Sequence, residues 1–264
     1  MTLDIQDLTV TTSTGVPLLD RVTWSVPRGG RVGIIGESGS GKSLTAAAVM
    51  GLLPSGMLAT GSIMWEGRNL LTSSERQMRR IRGARIAMVF QEPLTALDPL
   101  MTVGKQIAGP LALHRNLTGH AARSRVKELL ERVSLADSER IAASYPWQLS
   151  GGQRQRVALA MALACEPDVL IADEPTTALD VTVQAEILAL VDELISGTTT
   201  TLIFVSHDLP VITQVANDIV VMRNGRVTER TTTQRLVSGP REPYTQQLVD
   251  AASRMTALPR KAQP

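Results

Sequence analysis

Residues 36–43 of the chain read Gly36-Glu37-Ser38-Gly39-Ser40-Gly41-Lys42-Ser43, a complete GxxxxGK[ST] match. An apolar run at 32–35 precedes it, and residues 44–53 read as a helix ended by Pro54. A strand, a glycine loop and a helix in that order restrict the fold to an α/β domain with an anion cradle. Glycines remove the side chains that would hold a phosphate off the backbone N–H groups, and the helix N-terminus adds donors and positive partial charge. Lys42 is expected to neutralise β- and γ-phosphates, and the Ser43 hydroxyl to take a Mg²⁺ position. ATP with Mg²⁺ is therefore the expected ligand.

The rest of the chain surrounds this unit. Residues 3–10, with Leu3, Ile5, Leu8 and Val10, alternate as a strand does, and Val22, Trp24 and Val26 share a strand face. A Pro27-Arg28-Gly29-Gly30 turn leads into a strand at 31–35, and residues 62–65 with the Glu66-Gly67 turn read as an edge hairpin. From about 94 to 165 the periodicity is helical, clearest at 121–133 and 153–164. The α/β pattern resumes with strands at 169–172 and 201–205 and helices at 183–194 and 209–216. A hairpin follows at 219–229, where Asn224-Gly225 supplies the positive φ angles of a tight turn. The tail carries a short helix at 244–255. A helical lobe inserted into an α/β domain accounts for this order.

Composition excludes several alternatives. Twenty-seven Lys and Arg against 25 Asp and Glu leave no one-signed field for a nucleic-acid groove, so no nucleic-acid partner is expected. With aromatics at 3% the core must be aliphatic. Cys165 is the only cysteine, so no disulfide forms within the chain, and in its Ala-Leu-Ala setting it reads as a buried small residue. The N-terminus lacks a signal pattern, and no apolar run reaches the roughly 18 residues of a membrane helix. At a membrane, another protein must hold this chain.

Further chemistry is concentrated at strand ends. Val169-Leu170-Ile171-Ala172-Asp173-Glu174 is a buried strand ending in two acids, where α/β ligands bind. Asp173 is expected to hold Mg²⁺ and Glu174 to orient or deprotonate an attacking water. His207 follows another strand and is placed to sense a γ-phosphate. Leu149-Ser150-Gly151-Gly152-Gln153 opens a helix; a simple cap explains Ser150, but the two glycines point to a second anion cradle. His114 and His120 have no assigned role, and no His/Cys cluster marks a transition-metal site.

In this order and spacing, the loop at 36–43, Gln91, Leu149–Gln153, 169–174, Ala178-Leu179-Asp180 and His207 resemble the ATP-binding cassette ATPases over nearly the whole chain. The resemblance implies a P-loop NTPase core of ABC type. It has an N-terminal antiparallel β subdomain (together with the core, about 1–92 and 166–240), a helical subdomain at about 93–165 and a C-terminal extension at 241–264. It also implies two ATPases packed head to tail. Ser150, Gly151, Gly152 and Gln153 then act in trans on the partner's nucleotide, and Asp180 lies at the dimer seam. Glu174 is the implied general base, Gln91 contacts Mg²⁺ or water, and His207 is the switch histidine.

Within the family, Phe90-Gln91-Glu92-Pro93, Tyr145-Pro146-Trp147-Gln148, 172–182 and Pro240-Arg241-Glu242-Pro243-Tyr244-Thr245 resemble the dipeptide, oligopeptide and nickel importer ATPases. That likeness implies a second ATPase subunit, paralogous or identical, two transmembrane permease subunits and an extracytoplasmic binding protein. It places the chain peripherally on the cytoplasmic face of the inner membrane. A non-transport ATPase of the same class, or an ATP-binding regulatory subunit, is the alternative. Two departures stand out. The stretch Val10-Thr11-Thr12-Ser13 lacks the aromatic that stacks adenine in many relatives, leaving Trp24 as a substitute only if the fold brings it round. No cysteine-rich tail follows the Pro-Tyr segment, which shifts the expectation toward nickel or metallophore import.

Overall fold

The computed structural model describes residues 2–91, 96–177 and 179–257. Strands β1 (Thr2–Thr11), β2 (Pro17–Pro27), β4 (Leu58–Trp65) and β5 (Arg68–Asn69) form an antiparallel sheet in the order β2-β1-β4-β5. Strands β3 (Arg31–Ile35), β6 (Ile86–Val89), β7 (Val169–Asp173), β8 (Thr201–Ser206), β9 (Asp218–Arg223) and β10 (Arg226–Thr232) form the second sheet, ordered β10-β9-β3-β8-β7-β6. It is parallel except for β10, which closes one edge as the hairpin partner of β9. Helices α1 (Lys42–Met50) and α2 (Glu75–Ile81) belong to the first half. Between β6 and β7 come α3 (Val103–Arg115), α4 (Gly119–Arg132), α5 (Ser138–Ala143) and α6 (Gly151–Leu163). Then follow α7 (Val181–Ile195), α8 (Leu209–Val215), α9 (Thr233–Ser238) and α10 (Pro243–Ala257).

The parallel sheet separates two cores, and alternation decides which residue feeds which. Val169, Ile171, Ile203 and Val205 pack with α1 and the antiparallel sheet. Their neighbours Leu170, Ala172, Leu202 and Phe204 pack with the helices on the other face. Successive strand side chains point to opposite faces, so a strand covered on both sides becomes a continuous apolar run rather than an alternating one. That is why β7 is buried at all five positions.

Several boundaries differ from the sequence expectation. α1 runs from Lys42 to Met50, not 44–53, because Gly51 adopts φ 61° and returns its N–H to the last turn. β2 begins at Pro17, five residues before Val22. β6, α2 and α9 carry no sequence expectation. β6 has only four residues and shows no alternation, and α9 has six residues. For α2 a signal exists, the reciprocal cap between Ser74 and Gln77. Trp24 is 1% exposed inside the core of the antiparallel sheet, so the fold does not bring it round to the loop at 36–43. Glu92, Pro93 and Ala178 lie outside the described residues.

Candidate nucleotide site

Strand register brings the loop and the acids together. Ile35 of β3 pairs with Ser206 of β8, Asp173 of β7 with Val205, and Val89 of β6 with Ala172. The chain therefore leaves four adjacent strands at the same end, so the phosphate loop, His207, Glu174 and Gln91 share one crevice. They line a cavity of about 720 Å³ with residues 36–39 and 41–43 of the loop. Ser40 is not in its wall; it is buried beneath, and its hydroxyl has no hydrogen-bond partner.

The loop fits a phosphate cradle. A Cβ on Gly36 would stand 2.1 Å from the Met222 carbonyl oxygen, and one on Gly41, at φ 100°, 2.4 Å from Leu19 Cδ2. No side chain fits at either position. Lys42 is 5% exposed and donates from Nζ to the carbonyls of Gly36 at 2.8 Å and Glu37 at 2.9 Å. Burial pushes its ammonium down while Glu174 and Asp173 pull it back up. The lysine is thus held by its own loop and lies 4.0 Å from Glu174 Oε1.

Two carboxylates with different surroundings stand opposite. Asp173 accepts a 2.9 Å hydrogen bond from the Ser43 hydroxyl. Burial pushes its carboxyl up; the Ser43 bond opposes this, Glu174 adds to it and Lys42 opposes it again. Two hard oxygens this close match the ligand chemistry of Mg²⁺, so Ser43 and Asp173 fit that ion. Glu174 sits at φ 46°, a left-handed conformation that a side chain adopts at a cost. Its Oε2 accepts from Gln91 Nε2 at 3.1 Å and Thr177 Oγ1 at 3.0 Å, and stands 3.1 Å from His207 Nδ1. A carboxylate gripped by three groups and faced by a cation is fixed in direction, which a base or water-orienting group requires.

The other motif residues lie elsewhere. Ser150 and Gln153 cap each other at the start of α6, at 3.0 and 3.3 Å, and neither lines the cavity. Gly152 has a packing reason of its own, since a Cβ there would meet Val183 Cγ1 at 2.7 Å. Asp180 caps α7, accepting from Thr182 and Val183 N–H. Within one chain, then, the second glycine motif is a helix start that does not line the phosphate cavity. Among the described residues no His, Cys, Asp and Glu cluster could hold another metal ion, and no helix is long and apolar enough to cross a membrane.

The sequence model of the ABC transporter family matches residues 19–177, more than half of the chain. The chain belongs to the ABC transporter family. As an ABC protein it is 46% identical over 235 residues to a probable peptide ABC transporter ATP-binding protein of Sinorhizobium fredii, covering 88% of this chain and 70% of that one. It is 44% identical over 236 residues to an oligopeptide transport ATP-binding protein of Bacillus subtilis, covering 89% and 72%. Among solved structures, an ATP-binding cassette dimer in a post-hydrolysis state with ADP and Pi superposes with a TM-score of 0.78. It is 31% identical, and the match covers 88% of this chain and 99% of that one. The family's P-loop core, β subdomain and helical subdomain are therefore those described above.

In this ABC chain four residues of the site, Leu18, Leu44, Thr177 and Leu248, have no role expected from the sequence, Leu44 being read only as part of a helix. Thr177 lies one turn beyond Glu174, and its spacing was the available signal. Leu18 and Leu248 enter the cavity wall from distant segments and have no local signature. Residues 10–13 do not line the cavity.

Proposed function

We propose that the chain is the ATP-hydrolysing subunit of a prokaryotic ABC importer for small peptides. The observation that carries the catalytic part is the convergence of Gln91, Thr177 and His207 on one oxygen of Glu174, across from Lys42. The names of the relatives, peptide and oligopeptide transport ATP-binding proteins, support the substrate class. Nickel or a metal-chelating opine is the second substrate reading, because the 172–182 and 240–245 segments resemble peptide and nickel importer ATPases alike. The alternatives, a non-transport ATPase or a regulatory subunit without turnover, fit less well because Lys42, Glu174 and His207 are all present.

On this reading Lys42 exchanges the Gly36 and Glu37 carbonyls for phosphate oxygens, at little net cost because one set of acceptors replaces another. Glu174 Oε1, the carboxylate oxygen that Gln91, Thr177 and His207 do not occupy, takes the proton of the attacking water, and those three side chains hold the carboxylate in line through Oε2. Ser43 and Asp173 would hold Mg²⁺, which when bound would supply positive charge beside the phosphates. Ser150, Gly151 and Gly152 complete the site of a second ATPase packed head to tail, with Asp180 at the seam. Two permease subunits hold the pair on the cytoplasmic face of the membrane, and an extracytoplasmic binding protein selects the cargo.

Deleting the gene should abolish uptake of a radiolabelled tripeptide, with nickel uptake unchanged. Wild-type chain should restore it and Ser150→Arg, which blocks head-to-tail closure, should not. Loss of nickel uptake alone would overturn the peptide reading. Restoration by Ser150→Arg would overturn the shared site.

The Asp173 environment adds a prediction about stability. Its carboxyl is raised above its usual 3.8, so folding is penalised when it ionises. That penalty is absent below 3.8, where the group is protonated folded or unfolded, grows as pH rises above 3.8, and is complete above the folded value. Asp173→Asn should therefore unfold at higher temperature than wild type at pH 7 without nucleotide, the gap closing toward pH 4. ATP with Mg²⁺ should no longer raise its Tm. A nucleotide-free variant melting at or below wild type at pH 7, by calorimetry, would refute this cost.

A further inference from the structure

The segment Pro240-Arg241-Glu242-Pro243-Tyr244-Thr245 has no part in the mechanism above, yet the fold carries it to the phosphate loop. Glu229 of β10, 8% exposed, turns its carboxylate to the segment's backbone. Its Oε1 accepts from Arg241 N–H at 3.1 Å and its Oε2 from Glu242 N–H at 3.2 Å. A buried carboxylate that takes two backbone donors from the residues just ahead of a helix ties the start of that helix to the sheet edge. α10 is thereby fixed to the same sheet that carries the phosphate loop.

What α10 presents is specific. Tyr244 is 5% exposed, with the Arg223 guanidinium 4.5 Å over its ring. Its hydroxyl oxygen accepts the backbone N–H of Glu37, inside the phosphate loop, at 3.2 Å. Burial pushes the phenol up, so it stays a neutral hydroxyl near neutral pH. Leu248 lies four residues on, hence on the same helix face, and lines the nucleotide cavity. Apart from Leu44 on α1, Leu18 and Leu248 are the cavity's leucines, in a wall otherwise of glycines and polar side chains.

We propose that α10 is a working part of the nucleotide site, with Tyr244 a positioning residue for the phosphate loop and Leu248 an apolar wall for the nucleoside. The proposal rests on the reading of the cavity as an ATP site. Tyr244 fixes the Gly36–Glu37 peptide, and so the orientation of the Gly36 carbonyl that Lys42 holds before phosphate arrives. Leu248 offers carbon surface to a purine and nothing to a phosphate.

Two probes separate these roles in the full-length chain: ATP, and inorganic tripolyphosphate, which has the phosphates without the nucleoside. Tyr244→Phe keeps the ring beneath Arg223 and removes only the hydroxyl. It should raise the Kd of both probes by about 5-fold, the loss of one hydrogen bond. Leu248→Ala should weaken ATP by a similar factor and leave tripolyphosphate unchanged. Calorimetric titration well below the Tm reads both. Wild-type affinities in Tyr244→Phe, with only its Tm lowered, would make Tyr244 a packing residue and overturn its assignment. Equal loss of both probes, or of neither, in Leu248→Ala would overturn the wall. A wild-type chain that binds neither probe would instead sink the nucleotide reading itself.

Discussion

Glu174→Gln should lower steady-state phosphate release by about 10²–10⁴-fold in the proposed transporter assembly, the usual worth of a positioned general base. ATP affinity stays close to wild type, because the amide keeps the size of the carboxylate and Glu174 is not a loop donor. The geometry makes the effect large. Gln91 and Thr177 donate to Oε2 and His207 Nδ1 stands 3.1 Å from it, so the direction of the carboxylate is set before substrate arrives. Glutamine can present either an oxygen or an NH₂ there, and neither accepts a proton from water at neutral pH. Phosphate release and ATP binding, measured on the same preparation, decide the matter. Equal rates in variant and wild type would remove Glu174 from the chemistry.

Lys42→Ala acts earlier, on binding. The ammonium is buried and satisfied by two loop carbonyls, so its removal withdraws a charge-assisted donor from phosphate and leaves Gly36 and Glu37 carbonyls unpaired. Hydrogen bonds to charged groups are worth about 1.5–3 kcal/mol, so the Kd for ATP rises roughly 10–150-fold. Titration of the variant with ATP and Mg²⁺ checks this, and an unchanged Kd would refute the role. Lys42→Met, which keeps the stem, separates the lost charge from lost packing and should bind as weakly as the alanine variant.

Much of this site is legible in the sequence for a physical reason. Phosphate chemistry needs particular residue types at fixed short spacing, as in 36–43 and 169–174, and those patterns survive as motifs. Sheet order then does what local spacing cannot. His207 and Gln91 reach Glu174 only because β6, β7 and β8 lie side by side in register. Tyr244 meets Glu37 across 207 positions, a contact with no local trace. Trp24 shows the reverse error: an aromatic near the right place in sequence is enclosed by the antiparallel sheet. The β6 strand escaped because four apolar residues buried on both faces carry neither period.

The reciprocal cap at Ser150 and Gln153 has a kinetic meaning on the proposed pairing. The helix that would greet the partner's phosphate is already wound in the separate subunit, its start held by the Ser150–Gln153 pair. Docking then meets a finished surface, with no segment to fold at the moment of encounter. The entropy of ordering is settled when the chain folds, not each time two subunits meet. A motor that must close and reopen every cycle is spared that cost on every stroke.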